Sequence, residues 1–193
     1  FPATPARLMS SAGPPGGTPN LLVQTDRRDF PARPLRVISY RGVRVSAQYK
    51  AMTVMQSYFA QRAARAAGVD DALLVDDESR IFEGSTSNVF VLRAGVLVTP
   101  PAEGDILPGV IRAKIDELAG AAGIPVVDAW TRVVDLHPED GLLLTSSVRG
   151  TVAVEQVDDV RLSVPERELA RLRALIDEAE AASAVAFSAT YRA

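Results

Sequence analysis

Between Thr53 and Ala67, Val54, Met55, Tyr58, Phe59, Ala63 and Ala66 recur three or four positions apart. That is the 3.6-residue period of a helix with one apolar stripe, and Gly68 is a natural stop for it. A second helical pattern runs over 107–123, with Val110, Ile111, Ile115 and Leu118 on one face and Pro108-Gly109 at its opening. A third follows the segment Ser163-Val-Pro-Glu166, whose spacing predicts a capping box, and carries Leu169, Leu172, Leu175 and Ile176. Elsewhere the period falls to two or to short apolar runs. ARLMS and NLLVQTD read as strands, as does LRVISYRGVRV, with Leu35, Val37 and Ser39, then Val43 and Val45, in alternation. DALLVDD (71–77), a pair over 88–100 around Arg93-Ala94-Gly95, IPVVDAW, GLLLTSS and TVAVEQV complete the series. Three helices among many strands predict an α+β domain with a mixed sheet.

The first twenty residues hold five prolines and three glycines, which predicts loop around a short strand. The chain opens on Phe1 rather than Met, so a preceding portion is expected to be missing.

Composition narrows the class. With 193 residues, 47% hydrophobic and 23% charged, the chain has the balance of one globular domain, or one domain and a fragment. A net charge of −3 argues against a nucleic-acid surface, which needs clustered Lys and Arg. Neither a membrane-length apolar run nor a basic-then-apolar leader is present, so the reading is soluble, with the cytoplasm as default and no membrane partner. Zero cysteines exclude disulfide and thiol chemistry. No metal site is assigned: His137 is the single histidine, read as a loop residue, and Asp76, Asp77 and Glu78 fall in a predicted turn.

Candidate chemistry gathers at the edges of elements. Lys50 stands where a strand gives way to a helix, and an amine partly desolvated there has a lowered pKa and becomes a nucleophile and base; a solvated surface lysine is the alternative. In FEGSTSN (82–88), Glu83 ends an apolar strand beside small residues that leave room for a ligand, or is simply a turn glutamate. In ILPGVIR (106–112), the free N–H groups of a helix start, unobstructed at Gly109, make an anion site fit for phosphate. In LTSSVRG (144–150), Thr145, Ser146 and Ser147 bring hydroxyl donors to the end of a strand. Arg149 is either a carboxylate anchor or an exposed turn residue.

In this order, YKAM, FEGSTSN, ILPGVIR and LTSSVRGTVAV resemble the class IV, or fold-type IV, family of pyridoxal phosphate enzymes over about Tyr40–Val157. That family includes branched-chain and D-amino acid aminotransferases and aminodeoxychorismate lyase. The resemblance implies a large C-terminal domain at 41–193, with a mixed, barrel-like sheet and helices. It also implies that 1–40 is the remnant of an N-terminal domain and linker, the rest of that domain being absent. It implies pyridoxal 5′-phosphate as cofactor, held by Lys50 as a covalent imine, and Glu83 at the pyridine nitrogen, which makes the ring an electron sink. Leu107 then packs on the ring with Thr86 near it. Gly109, Val110 and Ile111 hold the phosphate by backbone N–H groups, joined by Ser146 and Ser147. Lys50 would also shuttle the proton between the substrate Cα and the cofactor C4′.

The implied activity is amino transfer between an amino acid, or amine, and a 2-oxo acid, in a homodimer. Aminodeoxychorismate lyase, releasing pyruvate and 4-aminobenzoate, is the alternative, and a non-catalytic remnant of the fold is a third reading. Two departures stand out. Met55 occupies the place, five residues after the lysine, where branched-chain enzymes carry tyrosine, and SSAGPPGGTPN lacks the Arg-x-His element of D-amino acid aminotransferases.

Overall fold

The computed structural model describes residues 6–11, 20–25, 33–50, 54–102 and 106–190. The Pro/Gly-rich loop expected within residues 12–19 lies outside them. Two compact units divide between Ala32 and Arg33. The first contains an antiparallel pair, β1 (Ala6–Ser11) and β2 (Asn20–Thr25), in register from Ala6 opposite Thr25 to Ser11 opposite Asn20. β3 (Leu35–Arg41) is an interior strand of the second unit's sheet.

That sheet has nine strands. They are β3, β4 (Asp71–Val75), β5 (Ile81–Gly84), β6 (Asn88–Arg93), β7 (Val96–Thr99), β8 (Val126–Asp128), β9 (Gly141–Ser146), β10 (Gly150–Val157) and β11 (Val160–Arg161). The order is β5-β4-β3-β10-β9-β6-β7-β8, with β11 on β10; β3 runs parallel to β4 and β10, and β7 to β8, while the other pairs are antiparallel. The sheet is mixed, as expected.

It is also curled. β5 touches β6 although β4, β3, β10 and β9 lie between them in the order. The outer edge of β5 meets the segment after β8, through Ile81 N–H to Thr131 O (2.8 Å) and Val133 N–H to Ser79 O (2.9 Å). Covering that edge removes the open ladder that β5 would otherwise present. Strands β4, β5 and β6 are buried on both faces, which is why they read as apolar runs rather than alternations. The β6–β7 hairpin turns through Ala94 (φ 48°) and Gly95 (φ 80°), the two positive-φ positions of a two-residue loop.

The inner core joins Leu35, Val37, Leu73, Ile81, Val89, Leu142, Leu144 and Val154. On the outer face, α2 (Val110–Ala119) and α3 (Glu166–Thr190) bury Ile111, Ile115, Leu169, Leu172 and Ile176 against Phe90, Leu97 and Leu143.

Four local expectations change. Helix α1 spans Met55–Ala66, but the residues it buries are Ser57, Ala60 and Ala64, while Val54, Met55, Tyr58 and Phe59 face outward. Strand β3 stops at Arg41, and Val43 and Val45, expected in its alternation, are exposed. Pro108 does not open α2, since Gly109 is the N-cap, with extended backbone (φ −74°, ψ 142°). Ser163 does not cap α3, because the helix begins at Glu166 and Pro165 takes the N-cap position; Ser163 N–H instead bonds Pro138 O and Asp140 O, and the residue bridges to Gly141.

Candidate active site

Glu83 sits third in β5, opposite Leu74, and is 3% exposed. An isolated carboxylate there is costly, so a partner is required. The partner is Arg44, brought back over the sheet by the turn that follows β3, where Ser46 takes a positive φ of 55° and Tyr49 N–H bonds Ser46 O. Arg44 Nε donates to Glu83 Oε1 at 2.6 Å and Nη2 to Oε2 at 2.9 Å. Leu107 N–H reaches the same Oε2 at 3.4 Å. Burial pushes the Glu83 pKa above the usual carboxylate range, and the Arg44 hydrogen bonds and charge pull against that rise.

Leu107 is fixed from its other side, its carbonyl accepting from Asn88 Nδ2 at 2.7 Å. Asn88 opens β6 and lies so close to Gly109 that any Cβ there would overlap Asn88 Oδ1. Glycine is therefore demanded by close approach rather than by its φ. Beyond Gly109, Val110, Ile111 and Arg112 form the first turn of α2, whose N–H groups have no intrahelical acceptor, and Gly109 makes no side-chain cap. The arginine closing ILPGVIR faces away from this turn: Arg112 is 3% exposed and bonds Asp128 at 2.9 Å, tying α2 to β8.

Asn88 also stands opposite Thr145 on β9, and Thr145 opposite Thr151 on β10, so these three side chains share one face. Thr145 Oγ1 and Thr151 Oγ1 are buried without a hydrogen-bond partner, as is Ser87 Oγ. At the same strand end Ser146 Oγ accepts from Arg149 N–H at 3.2 Å, and Ser147 is exposed in the turn. Arg149 pairs with the buried Asp71 (3.5 Å), which also accepts from Ser85 Oγ and from Ala72 N–H. That salt bridge ties FEGSTSN to the turn after β9, and it is not the free carboxylate anchor considered above.

The structure thus brings Glu83, Leu107, Gly109 and the α2 start together, with the β9–β10 end joined through Asn88. Thr86 is exposed in the turn between β5 and β6. Lys50 is exposed, and no ion pair or hydrogen bond joins it to another described residue. Sequence reasoning missed Arg44, which read as a polar position between two strand valines, and Asn88, which was quoted in the motif without a role. The buried Asp71 carried no motif signal at all.

A buried carboxylate beside an uncapped helix start, with unpaired hydroxyls on the adjoining strands, suits a ligand that has a ring donor at one end and a phosphate at the other. The molecule is in that sense a curled mixed sheet that presents a cofactor cradle. Residues 4–157 match the amino-transferase class IV family, and the chain belongs to that family.

A candidate branched-chain-amino-acid aminotransferase of Methanocaldococcus jannaschii is 37% identical over 109 residues, which cover 56% of this chain and 38% of that protein. Among solved structures, the fold IV transaminase CpuTA1 of Curtobacterium pusillum superposes with a TM-score of 0.73 at 27% identity, over 88% of this chain and 63% of that one. A candidate 4-amino-4-deoxychorismate lyase of Legionella pneumophila gives the same TM-score of 0.73 and 27% identity, over 83% of this chain and 61% of that one. The chain thus spans well under half the length of this curated relative and about three fifths of the two structures.

Proposed function

We propose that the chain is the cofactor-binding part of a pyridoxal 5′-phosphate-dependent aminotransferase that moves an amino group between an amino acid, or amine, and a 2-oxo acid. The observation that carries this reading is the convergence of a buried, paired Glu83 with Leu107 and the open N-terminal turn of α2. When bound, the cofactor supplies an electron sink for the pair left at the substrate Cα.

Glu83 holds negative charge at the ring nitrogen. Leu107, with Thr86 nearby, lines the ring. Val110 and Ile111 N–H groups, opened by Gly109, receive the phosphate together with Ser146 and Ser147, and Thr145 and Thr151 line the same strand ends. Lys50 Nζ would hold the cofactor and, once displaced by the substrate's amino group, would be the free amine that carries the proton from the substrate Cα. The remnant of an N-terminal domain and its linker, expected over residues 1–40, remains part of this reading.

A homodimer is the proposed assembly, and the outward stripe of α1, with Met55, Tyr58 and Phe59 between 41% and 59% exposed, is a surface a second copy would cover. Among the described residues no helix is long and apolar enough to cross a membrane, and the cytoplasm is the proposed compartment.

The test is an absorbance titration of the protein with pyridoxal phosphate. A bound-cofactor band that is absent in Lys50→Ala supports the reading; no band in the parent protein overturns it and favours a non-catalytic remnant. The Legionella neighbour supports a second reading, aminodeoxychorismate lyase. Pyruvate and 4-aminobenzoate from aminodeoxychorismate would establish it, whereas a 2-oxo acid product from an L- or D-amino acid would establish amino transfer.

A further inference from the structure

A carboxylate offers about four lone-pair positions, and those of Glu83 are unevenly used. Oε2 accepts from Arg44 Nη2 and Leu107 N–H, Oε1 from Arg44 Nε, and one lone pair of Oε1 is left for another donor. The terminal torsion of a glutamate is broad and two-fold, so a carboxylate held at one point can turn and offer either oxygen. A guanidinium fork bonds both oxygens at once and removes that rotation, which the point charge of an ammonium does not. Both partners are sequestered from water, with side chains 13% exposed for Arg44 and 4% for Glu83, so the fork is not loosened by solvent.

We propose that Arg44 is the positioning residue for Glu83, setting the carboxylate so that the remaining lone pair of Oε1 meets the donor on the cofactor ring. This rests on Glu83 being the ring-nitrogen partner. Arg44 acts through Glu83 and does not itself touch the cofactor. Burial pushes Glu83 toward its neutral form, and the same pair opposes that push.

The experiment is a binding titration with pyridoxal phosphate, read by absorbance, on the parent protein, Arg44→Met, Arg44→Lys, Glu83→Gln and the Arg44→Met/Glu83→Gln double variant, with a thermal melt of each. Arg44→Met and Arg44→Lys should each weaken binding about tenfold, the scale of one charge-assisted hydrogen bond, and move the bound-cofactor band toward that of Glu83→Gln. In the Glu83→Gln background, Arg44→Met should change binding less than about twofold.

Arg44→Lys binding as tightly as the parent, or Arg44→Met weakening both backgrounds equally, overturns the proposal while the aminotransferase reading stands. If Arg44→Met fails to fold, Arg44→Lys decides alone. A parent protein with no Lys50-dependent band overturns both.

Discussion

Helices α1 and α2 pack on the same sheet and solve the problem in opposite ways. α2 turns its large residues inward, with Ile111 and Ile115 at 6% and 0% exposure against Phe90 and Leu143. α1 turns small ones inward: Ser57 is buried, and Ala60 and Ala64 pack on β4 against Ala72 and Leu74. Its large stripe is left about half outside, forgoing a part of the roughly 1.5–3 kcal/mol that full burial of each big side chain would give. A 3.6-residue period therefore locates a stripe without saying what covers it. On α2 the stripe belongs to the core, and on α1 it belongs to a surface.

The contrast breaks most sharply under Ile115→Ala. Removing a fully buried branched side chain between α2 and the sheet should lower unfolding stability by about 2–5 kcal/mol, read from urea melts. The reverse substitution suits α1: Ala64→Leu, at 1% exposure in a close helix–sheet contact, should cost about 1–3 kcal/mol by overpacking. A neutral Ala64→Leu would mean that α1 does not sit on its small face.

Much of the architecture was legible because strands buried on both faces announce themselves as apolar runs, as DALLVDD and NVFVLR do, and because Ala94-Gly95 marks its own hairpin. The motif residues Glu83, Leu107 and Gly109 were legible by order, and they do meet. What stayed hidden depends on contacts far apart in sequence. Arg44 looked like a solvated residue between Val43 and Val45, and only the fold of the turn after β3 brings it onto Glu83, 39 residues on. The capping box at Ser163 failed for a similar reason, since the Ser163 N–H that Glu166 would accept is bonded to Pro138 and Asp140 instead and the helix starts three residues later.

An ion pair at the end of β6 sharpens the comparison further. Asp140, 3% exposed, accepts from Arg93 Nε and Nη2 at 2.9 and 2.6 Å and from His137 N–H at 2.9 Å. The Arg93 hydrogen bond, against the opposing effect of burial, holds its pKa below the ordinary carboxylate value. With the folded pKa depressed, the stabilisation is fully present above the ordinary value and lost as pH falls through the folded one. Asp140→Asn should cost about 1–3 kcal/mol near neutrality and flatten the acid limb of stability against pH. Glu83 runs the other way: with its folded pKa raised by burial, its contribution falls as pH climbs from the ordinary value to the raised one.

The starts of the two helices differ as well. Val54 makes no side-chain cap for α1, whereas α2 is approached through Leu107, whose carbonyl Asn88 holds. Gly109→Ala should displace Asn88 and cost about 1 kcal/mol, the worth of one hydrogen bond. It should weaken pyridoxal phosphate binding more than that small loss of stability would suggest, because Gly109 opens the turn proposed to receive the phosphate. Binding unchanged beside a lowered melting point would leave Gly109 a purely structural residue.

The smallest effect on stability belongs to the outer stripe of α1. Phe59 is 41% exposed and stands edge-on to Tyr58, with ring centroids 5.7 Å apart, so Phe59→Ser removes little that the isolated fold buries. Unfolding stability at high dilution should stay within about 0.5 kcal/mol of the parent. Sedimentation should move instead: if a second copy covers this face, the substitution shifts the dimer toward monomer, since an aromatic in a buried interface commonly contributes about 1 kcal/mol or more. A large loss of stability with no change in sedimentation would show the stripe to be covered within one chain, and α1 would then differ from α2 in degree rather than in kind.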